Sequence, residues 1–266
     1  MAKSTYISSN LSVEQIKFLH LLDANEILYF SIKDIENRIG SKPDNLNELV
    51  ENLCHKKILN RIERGKYAKA QFNDLYVLGT FISNGGVVAY WSALHLHGLT
   101  ERFPNKLFIK TVARKRNTSI FGTPIQFVSV QSRKNIGIIK NGYGDNAYPL
   151  TNVETTLLDC FDQPRYAGDW PDLIRAFYQA KLNSGLLIAC ASAYNNASTT
   201  RRMGYLAELF EKKELKSFIR FARKNTGKKY VLFDVAAPDT GAFNKQWMLR
   251  MNMEESAILN CIQETY

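Results

Sequence analysis

Cysteine is sparse and scattered. Cys54, Cys160, Cys190 and Cys261 are far apart in a chain of 266 residues and form no C-x-x-C pair. That argues against a disulfide-stapled scaffold and for reduced, mostly buried thiols. No apolar run approaches the ~18 residues that a membrane-spanning helix requires. The opening Met1-Ala2-Lys3-Ser4-Thr5-Tyr6 lacks the apolar core of a signal peptide, so a cytoplasmic protein is expected. Internal repeats and low-complexity tracts are also missing. One long stretch, residues 102–140, contains no acidic residue at all.

What remains is an ordinary globular composition, 45% hydrophobic and 23% charged, with a net charge of +10. The length allows two domains, each with its own core. The charge is unevenly placed: +9 over residues 102–140, +8 over 181–233, and +2 over the first 70. Such blocks suit a polyanionic partner, although a solvated basic surface without one is the simpler reading.

Residues 31–69 carry the most specific pattern. Ser31-Ile32-Lys33-Asp34 opens a short helix with Ile32, Ile35 and Ile39 on one face, and Gly40 permits a left-handed turn. Ser41-Lys42-Pro43 restarts the chain into a second helix. Leu46, Leu49, Val50 and Leu53 recur there at helical spacing, leaving Lys42, Asn45, Asn47, Glu48, Asn52 and Lys56 on the outside. Two β-prone runs follow, Ile58–Ile62 and Lys66–Ala68, about a turn at Arg64-Gly65, and from His55 to Lys69 six bases face one Glu. A helix of this kind beside a basic hairpin is how helix-turn-helix proteins read a major groove while holding phosphates. Winged helices also dock proteins, so that alternative stays open.

The expected architecture is α+β: an N-terminal winged helix-turn-helix over residues 1–72, then a larger mixed α/β domain over 73–266, with room for a subdivision near 185. A capping box at Ser12–Gln15 opens a first helix with Val13, Ile16, Leu19 and Leu22 as its inward stripe. Asp74–Ser83 reads as a helix, Lys106–Thr111 and Ile125–Val130 as strands, and 136–150 as a hairpin. A capping box at Thr151–Glu154 opens one helix, Asp169 caps another ending at Gly185, and further helices follow from Thr199 and Leu215. Strands at 230–233 and within 243–252 precede a terminal helix from Glu254 to Tyr266.

Enzyme chemistry finds little raw material. His95 and His97 diverge by about 200° on a helix, and no Asp, Glu or Cys nearby completes a tetrahedral metal shell. Asp159 and Cys160 are adjacent but point apart, with no local base for a nucleophile. The glycines of Asn141–Asn146 do not stand between a strand and a helix as a phosphate cradle requires. Neither an enzymatic role nor a cofactor or metal is expected.

Several segments resemble the AbiEi family, the antitoxins of abortive-infection E type IV toxin–antitoxin systems. They are Arg64-Gly65-Lys66-Tyr67, Ser92–Leu99, the Glu154–Cys160 helix start, Arg201-Arg202-Met203-Gly204-Tyr205-Leu206, and Asn244–Asn252 around Trp247. The resemblance spans nearly the whole chain and rests on order and spacing. Thr155 stands where the family has a basic residue, so no role is carried over to it. The resemblance implies a winged helix that binds repeats in its own promoter and represses the operon, and a larger domain that supports cooperative operator binding and counteracts a nucleotidyltransferase toxin, without a stable complex. The expected base-reading residues are Asn45, Asn47, Glu48 and Asn52, with Lys42, Lys56, Arg61, Arg64 and Lys66 on phosphate or the minor groove. Arg114, Lys115, Arg116, Arg201 and Arg202 are candidates for a second basic surface on DNA, and an oligomer on DNA is a further expectation. The alternative is a winged-helix transcriptional regulator whose larger domain senses a ligand or protein, with no toxin partner.

Overall fold

The structure is a computed structural model that describes residues 10–263. It is a mixed α+β protein with three sheets among the described residues. The chain opens with α1 (Val13–Ala24), β1 (Tyr29–Ser31), α2 (Ile35–Ile39), α3 (Leu46–His55), β2 (Leu59–Glu63) and β3 (Lys66–Lys69). The strands form an antiparallel sheet in the order β1-β3-β2, and the helices close over one core of Phe18, Leu22, Phe30, Ile35, Val50, Leu53 and Leu59.

Ser12 and Gln15 make the expected capping box on α1. The inward stripe differs from the expected one. Gln15, Phe18 and Leu22 are buried, whereas Val13 is 63% and Ile16 42% exposed. The largest ring in the helix, Phe18, takes the core position and stacks edge-on against Phe30. The buried amide of Gln15 is satisfied by Lys56 Nζ at 2.7 Å, which removes the cost of its burial.

A larger part follows: α4 (Leu75–Ser83), β4 (Val87–Val88), α5 (Tyr90–Leu96), β5 (Leu107–Thr111), β6 (Thr118–Ile120), β7 (Thr123–Ser129), β8 (Ile138–Asn141) and β9 (Tyr148–Thr151). Its six strands run in the order β6-β7-β5-β4-β9-β8, with β5–β7 and β4–β9 parallel and the remaining pairs antiparallel. All five residues of β5 are buried, as expected of a strand covered on both faces. Leu107 and Ile109 join the core under α4, and Phe108 joins the core on the opposite face.

The remaining elements are α6 (Val153–Asp162), α7 (Trp170–Gln179), α8 (Ser184–Tyr194), α9 (Ala197–Leu209), α10 (Lys216–Lys224), β10 (Val231–Leu232), β11 (Ala242–Asn244), β12 (Leu249–Met251) and α11 (Glu255–Gln263). Asn152, not Thr151, caps α6 by accepting from Thr155 N, and Glu154 instead accepts from Asn183 N at 2.8 Å. The helix expected to end at Gly185 ends at Gln179, and Gly185 lies in the first turn of α8. The single strand expected around 243–252 is the antiparallel pair β11–β12. The expected terminal helix is described as far as Gln263, and its last three residues lie outside the described range. A continuous core runs from Ala89 to Cys261. No helix of the described residues is long and apolar enough to cross a membrane.

Candidate nucleic-acid interface

α2 ends at Gly40, whose φ of +62° is the left-handed conformation that a glycine adopts without strain. The restart is later than the sequence implies: α3 begins at Leu46 behind Asn45, itself left-handed at φ +49°. Leu46, Leu49, Val50 and Leu53 are buried as expected. Asn45, Asn47 and Glu48 are exposed and Asn52 is half-buried, while Lys42 is exposed in the connector. Helical spacing sets Glu48, Glu51 and His55 nearest the middle of the outward face. Glu51 and His55 are functional candidates that the sequence reading missed, although the same 3.6-residue period locates them.

Glu51 is the hinge of the arrangement. Its Oε1 accepts from Tyr67 OH at 2.9 Å and from Arg61 at 3.2 Å, so the middle of α3 is bonded to both strands of the β2–β3 hairpin. Burial and the Glu51 bond push the Tyr67 phenol up to about 12. Between helix and hairpin lies a groove of about 990 Å³ lined by Lys33, Asp34, Asn47, Glu51, Arg61, Arg64 and Lys66, among others. The hairpin turns at Arg64-Gly65, with Gly65 at φ +72° and a register shift between Arg61 and Glu63.

The hairpin is less cationic in effect than in composition. Lys66 is turned towards α4, with 13% of its side chain exposed. Its Nζ donates to Phe81 O (3.0 Å), Ile82 O (3.1 Å) and Asn84 Oδ1 (2.5 Å), and it lies over the Phe81 ring. This ammonium fastens the hairpin to the negative C-terminal end of α4, and burial pulls its pKa down. Lys56 donates to Asn10 O and Gln15 Oε1, and Lys69 is buried against Asp23. Lys57, Arg61 and Arg64 are the bases of this segment left exposed.

The second basic surface is divided in the same way. Arg201 and Arg202 are 3% and 6% exposed and cannot form a surface. Arg201 donates to Lys229 O and Met248 O and Arg202 to Leu232 O, binding α9 to the small β10–β12 sheet. Burial pulls the Arg202 pKa down to about 10. Lys115 is held by Glu63 of β2 at 2.5 Å, which leaves Arg114 and Arg116 exposed beside the hairpin. Of the other bases in the acid-free stretch, Arg102 pairs with Asp169 and Asp172, Lys110 with Asp159 and Lys134 with Asp162.

The residues weighed for catalysis make packing and hydrogen-bond contacts within the fold. His97 Nε2 lies 2.7 Å from Thr151 O, and His95 packs on Phe103. Asp159 is 1% exposed and Lys110 fully buried, with Lys110 Nζ at 2.8 Å and Tyr194 OH at 2.5 Å from the carboxylate. Burial outweighs these partners and raises the Asp159 pKa. Burial likewise raises the Cys160 thiol well above its ordinary value, opposite to what a nucleophile needs. No group of three or more His, Cys, Asp or Glu among the described residues could hold a metal ion.

No family model and no curated protein matches the sequence. Among solved structures, the fold is similar to the crystal structure of the RV2827C protein from Mycobacterium tuberculosis, with a TM-score of 0.68 over 97% of each chain at 15% identity. At that identity the likeness speaks for the fold alone.

Proposed function

We propose that residues 10–72 are a winged helix-turn-helix that binds duplex DNA, and that the chain is a transcriptional autorepressor of the antitoxin kind. The observation that carries the reading is α3, with Asn47 and Glu48 exposed on it and Asn45 exposed at its cap, tied through Glu51 to a hairpin that ends in the exposed Arg64. Asn is suited to adenine edges and Glu to the cytosine amine, whereas arginines beside the helix hold backbone phosphates. Lys42, Arg61 and Arg64 are the phosphate contacts, and Arg114 and Arg116 extend them because the Lys115–Glu63 bond keeps their loop against the hairpin. The AbiEi resemblance supplies the operon's own promoter as target, and assigns to the larger part the counteraction of a nucleotidyltransferase toxin.

The test is a fluorescence-anisotropy titration with the duplex upstream of the protein's own gene and a scrambled duplex, at several salt concentrations. Selective binding with a steep salt slope is the expected result. Equal, weak binding to both would make the module a protein-docking one. The antitoxin part is tested separately, by whether co-expression relieves the growth arrest caused by the neighbouring gene's product.

A further inference from the structure

The second basic block carries a surface that the winged-helix reading does not use. Residues 213–230 contain Lys213, Lys216, Arg220, Arg223, Lys224, Lys228 and Lys229 against the single acid Glu214. This run ends at two aromatic rings that the small sheet leaves in the open. Tyr230 precedes β10 and is 39% exposed, and Phe243 on β11 is 53% exposed. The rings touch at a centroid distance of 4.7 Å and an interplanar angle of 63°. Arg250, paired across the sheet with Phe243, holds its guanidinium 4.4 Å from the Phe243 centroid.

Lysines flank both rings along the chain. Lys228 and Lys229 immediately precede Tyr230, Lys245 follows Phe243 by two residues, and all three are exposed with no ion pair among the described residues. The neighbouring carboxylates are already engaged: Asp239 lies 3.0 Å from Arg250, and Asp234 accepts from Ala236 N at 2.8 Å. Apolar rings half in water cost free energy unless something covers them. Their setting selects an occupant that is planar on one side and anionic on the other.

We infer that Tyr230 and Phe243, with Lys228, Lys229 and Lys245, form a binding surface for single-stranded nucleic acid. Unpaired bases stack on the rings and the lysines hold the phosphodiester backbone, as in surfaces that bind single strands without sequence preference. A duplex gains less here, because its bases already stack on one another and offer the rings no free face. Since none of these residues lies in the first 70, the inference stands or falls apart from the winged helix.

The experiment uses the full chain and fluorescein-labelled 12-mers of oligo-uridine and oligo-deoxythymidine, with a mixed-sequence 12-bp duplex as the third probe. Both single strands are expected to bind, and the ratio between them tells RNA from DNA as the preferred source. Tyr230→Ala with Phe243→Ala should weaken single-strand binding by about tenfold or more, while Tyr230→Phe keeps it. Lys228→Glu with Lys229→Glu should weaken it and flatten its salt dependence. Both rings are half exposed, so unchanged thermal unfolding of the alanine variant is expected and rules out a folding defect. An alanine variant that loses duplex and single-strand binding in equal measure would overturn the inference, because duplex held by the winged helix alone should be untouched by the rings. So would an alanine variant that binds like the parent, since attraction to charge alone would then account for the whole effect.

Discussion

Glu51 on α3 accepts the Tyr67 hydroxyl of β3 at 2.9 Å, a bond that ties the helix to the hairpin of the proposed DNA surface. Its pH dependence has a definite sign. The ordinary tyrosine value is 10.0, and in the folded protein Tyr67 is pushed to about 12 by burial and by the Glu51 bond. Below pH 10 the phenol is protonated in both states and its contribution to stability is complete. Between 10 and about 12 the unfolded chain releases this proton while the folded one keeps it, so stability falls as pH rises through that window. Absorbance at 295 nm should show the difference between the parent and Tyr67→Phe as a step near 12, and a step near 10 would refute the linkage.

Arg64→Ala and Lys66→Ala should behave differently although the two residues are neighbours. Arg64 is exposed at the turn, so its loss should lower the slope of log affinity against log salt by about one. Lys66 is spent on the end of α4, so its loss should leave that slope unchanged. Removing it strips Phe81 O and Ile82 O of a charged donor, and urea unfolding should register about 1–3 kcal/mol of lost stability.

The buried Lys110–Asp159 pair predicts an asymmetry. Lys110→Met leaves the Asp159 carboxylate without its counter-charge and should cost about 3–5 kcal/mol in denaturant unfolding. Replacing both, Lys110→Met with Asp159→Leu, should recover much of that loss. A double variant as unstable as the single one would show that the Tyr194 hydroxyl, left facing an apolar side chain, dominates the site.

Gly204→Ala tests the contact between two segments that carry the AbiEi resemblance. A Cβ at Gly204 would lie 2.5 Å from the Trp247 ring and 2.7 Å from Ala222, so α9 and α10 would have to separate around the fully packed indole. Overpacking of this kind should cost about 1–3 kcal/mol. Thermal unfolding followed by tryptophan fluorescence is the measurement.

The parts of the molecule legible in the sequence are those set by near neighbours. Gly40, the Arg64-Gly65 turn and the Leu46–Leu53 stripe follow from local φ preferences and helical spacing, and each is where the spacing puts it. In the first helix two stripes compete, and the choice of Phe18 over Ile16 is made by Phe30 on another element. No periodicity marks α8, because its small, mostly apolar residues show no polar face to count from. Side-chain direction was the least legible. Lys66, Arg201 and Arg202 look like surface bases, yet each ends on backbone carbonyls of distant elements that spacing along the chain cannot reveal.

The fastening of the hairpin to α4 bears on how this molecule can be taken apart. Lys66 ends on α4 carbonyls, Lys115 holds Glu63, Arg38 reaches Asp145, and Tyr29 packs on Phe81. Residues 10–72 are therefore not a portable cassette. A fragment cut there would strand an ammonium without its acceptors and bare an aromatic face, so transplanting this reading head on to another protein requires α4 to travel with it.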